Sequence, residues 1–337
     1  MTINLNFNPM NDIKELYYKI QKEIIPTSPF HFDSTVYKPG HFPTSDTKWE
    51  SGKRWQTMLW RGETLGLILE NVGNIEKPKI LLYIYSDKLL QNEFLDSVVQ
   101  EIEYRYNLKL DIEDFYNNFP HDSFLTPVIQ KFRGLRPMNP GGLYEYLIIA
   151  IVLQNTVVRR SVSMMQTLFE KYGTILQFDN KEFYCFWEPH VLAQTAESEL
   201  RDLKVGYRAK SLNKVSEAFA DDSQKELELR NKSQEEQKNA LLSLYGIGPA
   251  SVGYIMFDVF HHLDLLTHIS PWEQKIYTKL FFHKDYHKEV IPVEKMIKFF
   301  NKQYGKYKAL AVNYVWEDIW WKRKKENIPW LEELIRL

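Results

Sequence analysis

Within the first 130 residues, apolar and polar positions alternate in short runs. The segments "STVYKPGHFP", "RWQTMLWRG", "TLGLILEN" and "PKILLYIYS" carry β-branched and aromatic residues broken by Gly, Pro and Asn. A period of two with such breaks predicts antiparallel strands. Inside the same block, "FLDSVVQEIEYRYN" has apolar positions three and four apart and predicts a helix. From "PGGLYEYLIIAIVLQN" onward the helical period takes over. It runs through "TVVRRSVSMMQTLFEKYG", which Gly173 ends, then "ESELRDLKV" and "YRAKSLNKVSEAFA". Residues 221–238 are charged and polar and predict a loop or an exposed helix. "NALLSLYGIG" and "PASVGYIMFDVFHH" predict two helices joined by a very short turn, and "WEQKIYTKLFF" and the run 292–325 complete a helical second half. The predicted fold class is α+β, mostly α: an N-terminal antiparallel β-sheet domain at 1–130 and a helical domain at 131–337. No internal repeat or low-complexity segment is visible.

Composition narrows the function classes. The chain has 337 residues, 44% of them hydrophobic, enough for a large core. The formal net charge is −1, so no global positive field advertises a polyanionic partner, and a nucleic-acid surface has to be a local patch. The single cysteine, Cys185, excludes disulfides within the chain and a four-thiolate iron–sulfur cluster. No apolar run follows Met1, and the longest one, 146–153, is too short to span a bilayer. These features predict a soluble protein of a reducing compartment without a membrane partner; a cytoplasmic monomer is expected.

The turn between the two short-linked helices carries candidate chemistry. It reads Gly246-Ile247-Gly248-Pro249, with Ser251 one turn into the second helix. Free N–H groups at that helix start, with glycines permitting close approach, suit a phosphate, and the helix dipole favours the negative charge. Pro249 fits the first helical turn. A tight helix connection with a glycine C-cap explains Gly-x-Gly alone equally well. Beyond it stands Pro271-Trp272-Glu273, a carboxylate in an otherwise aromatic run.

Several ordered segments resemble the helix-hairpin-helix-GPD superfamily of DNA glycosylases, in its 3-methyladenine and 8-oxoguanine branches. "LLSLYGIGPASVGYI" resembles the family hairpin. "FRGLRPMNPGGLYEYLIIAIVLQNTV" is similar to the segment that builds its intercalating loop. "LRDLKVGYRAKSL" is similar to the Leu-Gly-Leu-Gly-Tyr-Arg-Ala-Arg segment of the 8-oxoguanine branch, and "YGKYKALAVNYVWEDIW" resembles the closing helix. The resemblance covers nearly the whole chain. It implies two interleaved helical lobes after the β domain, with double-stranded DNA as the partner, bound across their cleft in a nucleoid-associated setting.

The resemblance also assigns roles. The family's catalytic Asp follows a Pro-containing pair after the hairpin, and here the matching residue is Glu273, one methylene longer. An anion there stabilises the oxocarbenium-like sugar of N-glycosidic cleavage and orients or deprotonates water. A solvated acid at a helix N-terminus is the plain alternative. Asp264 is a rival carboxylate. Bifunctional members carry a lysine where this chain has Ala250, so no amine stands ready for a Schiff base and no lyase step is expected. Gln154 and Asn155 match the loop that enters the base stack of the flipped site. Tyr207 and Arg208 match the pair that wedges beside the estranged base, or else form a helix start with a surface ion pair. Ala250, Tyr254 and Asp258 share one helix face, at i, i+4 and i+8, and would line the substrate pocket. Asp258 would meet a polar base there, or is solvated or paired with Lys275 or a histidine. Trp272 and Trp316 would be stacking walls or core. Histidines 261, 262 and 268 are weak grounds for a metal, and none is expected. No redox or organic cofactor is expected; a monovalent cation at the hairpin carbonyls is implied only by the resemblance.

The function expected is base excision without strand cleavage. The substrate is either an alkylated purine, in base excision repair, or a bulky hypermodified base such as phage glucosylated hydroxymethylcytosine, in antiviral defence. A catalytically inactive lesion-binding module is the alternative from another class.

Overall fold

A computed structural model describes residues 13–37, 44–220 and 225–335. The elements open with strands β1 (Ile13–Glu15) and β2 (Tyr18–Ile24), helix α1 (Phe32–Val36), and strands β3 (Thr47–Glu50), β4 (Lys53–Trp60), β5 (Glu63–Asn71) and β6 (Ile80–Ser86). Helices α2 (Asn92–Arg105), α3 (Glu113–Asn118), α4 (Leu125–Lys131), α5 (Leu143–Leu153) and α6 (Val158–Tyr172) follow, then strands β7 (Thr174–Phe178) and β8 (Lys181–Cys185). The remainder is helical: α7 (Pro189–Gln194), α8 (Glu197–Leu200), α9 (Arg208–Ala220), α10 (Lys225–Arg230), α11 (Gln234–Leu242), α12 (Pro249–Asp258), α13 (Pro271–Phe282), α14 (Val293–Tyr304), α15 (Lys308–Lys325) and α16 (Pro329–Ile335).

The chain divides into two compact units, both discontinuous. One holds the residues up to Asp111 with Gly134–Lys232 and Leu244–Gly246. The other holds Ile112–Arg133, Ser233–Ser243 and Ile247–Leu337. The units interleave along the chain rather than meeting at a single point near residue 130.

In the first unit, β2-β6-β5-β4-β3 form a sheet with antiparallel pairing throughout. Alternate positions of β5 and β6 (Leu65, Leu67, Leu69; Ile80, Leu82, Ile84) bury against Leu95, Val98 and Ile102 of α2. This is the period-two pattern meeting the helical one. The structure departs from the sequence expectation at two places. Residues 34–36, read as strand, belong to α1, where the His31 side chain accepts from the Ser34 N–H and caps the helix; Tyr37 is its C-cap, and 38–43 of that segment lie outside the described residues. Strand is also not confined to the N-terminal block. β7 and β8 form a hairpin in the helical half, and β1 adds to it in parallel, Ile13 facing Ile175. Asp179 and Asn180 turn that hairpin at φ 50° and 55°, a left-handed pair suited to a two-residue turn. The expected loop or helix at 221–238 contains α10 and the start of α11, with 221–224 outside the described residues.

Charge is buried in this unit as a network. Glu101 pairs with Arg105 and Arg230 at 2.6 Å each, and Arg230 also pairs with Glu226. Burial alone would raise the Glu101 carboxyl, but the Arg105 and Arg230 guanidiniums overcome it and bring it down to about 2.

The second unit is all-helical among its described residues, with an aromatic interior. Tyr277 and Phe281 of α13 pack edge-on against Phe300 of α14, at ring distances of 5.6 and 4.9 Å. Tyr116 of α3 and Tyr314 of α15 share a hydroxyl hydrogen bond of 2.8 Å, and Lys131 of α4 reaches Asp318 of α15 at 2.6 Å.

Candidate active site

Pro271 opens α13 and Ser270 is its N-cap, which puts Glu273 at the third helical position. The sequence Ser-x-x-Glu before an apolar run is a helix-start signature. Its hydrogen bonds converge on one oxygen. Glu273 Oε2 accepts from the Ser270 N–H at 2.8 Å, the Ser270 hydroxyl at 2.6 Å and the Tyr254 hydroxyl at 2.9 Å. Glu273 is only 6% exposed, so a buried carboxylate is supplied with the donors that burial demands. The rival Asp264 is exposed and accepts only a long bond, 3.5 Å, from Gln234. Of the two carboxylates, Glu273 is the buried, multiply hydrogen-bonded one.

Around this carboxylate stand phenols and indoles of the same unit. The Tyr254 side chain is 40% exposed, but its hydroxyl is turned onto buried Glu273. Desolvation there, with the Glu273 charge second, raises the phenol far above its ordinary value, and Asp258 adds to the effect. The buried Tyr277 phenol is raised for the same two leading reasons and accepts from Trp316 Nε1–H at 2.8 Å. Both phenols therefore keep their protons and serve as donors. Trp272 and Trp316 lie 5.4 Å apart, and Trp272 is 39% exposed, so it is not core. On α12, Ala250 and Asp258 are half-buried and Tyr254 is exposed, so the face read at i, i+4 and i+8 exists and is reachable. Asp258 sits at the helix C-terminus, where the dipole disfavours a carboxylate. Ser270 and Tyr277 were missed in the sequence. The capping signature was the available signal for Ser270; nothing local marks Tyr277.

The first hairpin helix ends at Leu242, earlier than its sequence suggests, so residues 243–248 connect α11 to α12. Gly246 sits at φ +82°, and a Cβ there would strike the Ser211 side chain. Gly248 is the N-cap of α12 and faces open space. Ser251 is half-buried in the first turn.

The loop after α5 belongs to the first unit, as does Gly246. Gln154 Nε2–H donates to the Gly246 carbonyl at 2.7 Å. Asn155 takes a left-handed φ of +48° and donates to the Tyr207 hydroxyl at 3.2 Å. Arg208 departs from the sequence expectation of a base-reading group: it is 3% exposed, and its Nη2 donates to the Gln154 carbonyl. Only Tyr207 of the pair is exposed. Histidines 261, 262 and 268 form no group with acids or Cys that would hold a metal among the described residues; His262 bonds Gln237 at 2.5 Å. A small, partly open pocket of the first unit, lined by Thr44, Asp46, Asn139, Glu145, Tyr146 and Phe186 among others, includes none of these site residues.

A glycine-turned helical hairpin and a buried acid one turn into a later helix are the features on which the resemblance to the glycosylase family rests. The family comparison agrees: residues 148–322, a little over half of the chain, match the HhH-GPD superfamily base excision DNA repair protein family. The chain belongs to that superfamily. It is 26% identical over 228 residues to a probable N-glycosylase/DNA lyase of Methanothermobacter thermautotrophicus, covering 61% of this chain and 70% of that one. Its fold is similar to that of the 3-methyladenine DNA-glycosylase from Archaeoglobus fulgidus, with a TM-score of 0.71 at 15% identity over 89% of this chain and 99% of the other. It is also similar to the Clostridium acetobutylicum 8-oxoguanine glycosylase/lyase, with a TM-score of 0.65 at 16% identity over 90% and 99%. Among the described residues no helix is long and apolar enough to cross a membrane.

Proposed function

We propose that the chain is a monofunctional DNA glycosylase. It extrudes a damaged or modified base from duplex DNA and, with Glu273, hydrolyses the N-glycosidic bond to leave an abasic site. The observation that carries this reading is the buried Glu273 carboxylate, held through Oε2 by three donors. As the bond to the base breaks, positive charge grows on the sugar, and a pre-set carboxylate stabilises it without reorganising. The same carboxylate orients or deprotonates the attacking water. Ala250 at the position of the lyase lysine supports hydrolysis without a Schiff base. Gly246, Gly248 and Ser251 would take a DNA phosphate, and no organic or redox cofactor takes part. The protein acts as a monomer on chromosomal or invading DNA in the cytoplasm.

Aromatic surface beside the carboxylate, from Trp272, Trp316 and Tyr254, supports a cationic alkylated purine as substrate. Asp258 favours a second reading: near Tyr254 at the end of α12, it would bond a polar hypermodified base such as glucosylated hydroxymethylcytosine, making the enzyme one of phage defence. The test is to profile free bases released from alkylated, oxidised and phage DNA, with borohydride added in parallel. Free base plus alkali-labile strands without a trapped adduct is expected. A trapped adduct overturns the monofunctional claim, with exposed Lys275 as the amine to examine. Lesion binding without any base release would make the chain a lesion-binding module, with Glu273 serving only to cap α13.

A further inference from the structure

The second unit carries a ridge of like charge that the proposed chemistry does not use. Helix α14 buries Met296, Phe300 and Tyr304, four residues apart, in its unit. On the opposite face stand Lys295, Lys298 and Lys302, all exposed. Among the described residues none of the three has an ion-pair or hydrogen-bond partner. Lys284, Lys288 and Lys306 of the same unit, by contrast, pair with Glu289, Asp285 and Asp114 at 3.7, 3.8 and 3.0 Å. Glu294, the nearest acid in sequence, sits in the first turn, where the helix dipole favours it, and makes no pair with Lys298. Helix stability does not account for the ridge. Lysines three and four positions apart repel one another, and Lys295 lies in the first turn, where the dipole disfavours a cation. Only Lys302, in the last turn, is favoured. An anion laid along the ridge relieves all three. At roughly 1.5 Å per residue the ridge is about 10 Å long, close to three steps of about 3.4 Å along one strand of duplex DNA.

We propose that Lys295, Lys298 and Lys302 hold the phosphate backbone of duplex DNA along α14, without regard to sequence and apart from the phosphate site at the hairpin. With a formal net charge of −1 the chain has no general attraction for DNA, so a local patch of this kind supplies it. The choice of DNA as the polyanion rests on the glycosylase reading. Lysines that neutralise phosphates release counterions, so their number is written into the salt dependence of the affinity.

The test is equilibrium binding of the full chain to an undamaged duplex across a salt series. Each phosphate contact adds about 0.9 to the slope of log affinity against log salt. The triple variant Lys295→Gln, Lys298→Gln, Lys302→Gln keeps the helix propensity of α14. It should lose about 2 to 3 from that slope and bind about tenfold or more weakly at low salt. The control triple Lys22→Gln, Lys79→Gln, Lys88→Gln removes the same charge from lysines paired with Asp96, Glu23 and Glu63 in the first unit. Its slope should stay within about 0.5 of wild type. A wild-type slope in the ridge variant overturns the proposal, whether the face is only solvated or serves an acidic protein. An equal loss in both triples overturns it too, because the effect is then one of net charge. Absence of base release from every DNA tried, with the slope difference intact, overturns the glycosylase reading and leaves the ridge standing.

Discussion

Two glutamates occupy the same local position in different units, and their surroundings part them. Glu145 is the third residue of α5 and accepts from the Gly142 N–H at 3.0 Å; Glu273 is the third residue of α13 and accepts from the Ser270 N–H at 2.8 Å. By local geometry alone both are helix-start acids. The N-cap glycine of α5 offers no hydroxyl, and the next N–H, that of Leu143, is taken by Glu226. Burial therefore raises the Glu145 carboxyl to about 7, against the pull of Arg105 and the Gly142 N–H. Glu273 instead gains two side-chain hydroxyls on the same oxygen. A capping acid is common; a buried one with hydroxyl donors and an aromatic surround is a candidate reagent. The donors, not the helix position, separate structure from chemistry.

Removing those donors should blur the contrast most. Tyr254→Phe with Ser270→Ala leaves the backbone N–H alone on Oε2. Hydrogen bonds to a charged group are worth about 1.5–3 kcal/mol each, so single-turnover base release should fall by about a hundredfold or more while DNA affinity holds. A release rate within threefold of wild type would mean that the hydroxyls do not set the carboxylate. Next comes acid stability in the first unit. The Glu101 carboxyl lies below its ordinary value of 4.5, so its contribution is present above that value and is lost as pH falls toward about 2. That loss is of order 3 kcal/mol by the usual conversion of pKa to free energy. Melts between pH 5 and 2.5 should show wild type losing stability more steeply than Glu101→Gln, which is already destabilised at pH 5.

Glu145 titrates with the opposite sign. Its carboxyl is raised, so its contribution is present below 4.5 and is lost as pH rises through about 7. Glu145→Gln should melt a few degrees above wild type at pH 8.5, with the gap closing at pH 5, and its base release should stay within about threefold. Equal melting at both pH values would remove the contrast with Glu273. The smallest effect concerns the substrate. Asp258→Leu should be mild on a cationic alkylpurine, whereas a polar hypermodified base should lose about tenfold or more in release, the worth of a bond to a charged group. A large loss on the alkylpurine would show that Asp258 serves the chemistry rather than recognition.

Legibility in the sequence followed the range of the physics. The hairpin at 246–249 and the start of α13 were readable because glycine, proline and capping preferences act within one turn of chain. Glu273 and Tyr254 could both be named by position, but not the hydrogen bond between them, which crosses from one helix to another. β7 and β8 were missed because each is five residues long and one of their pairings is with β1, more than 150 residues away in sequence. The left-handed pair Asp179 and Asn180 was a local clue to that hairpin. The inward turn of Arg208 was invisible for the same reason: its acceptor, the Gln154 carbonyl, lies 54 residues back.

The central claim is that Glu273 works as an anion on the reacting sugar. The measurement that reaches it most directly is single-turnover base release by Glu273→Gln beside wild type, at DNA concentrations saturating for both. Gln keeps the size and the hydrogen-bonding oxygen but not the charge. Charge stabilisation carries much of the barrier lowering in such a site, so release should fall by at least about a thousandfold with DNA affinity within a fewfold of wild type. Release by Glu273→Gln within tenfold of wild type would contradict the account.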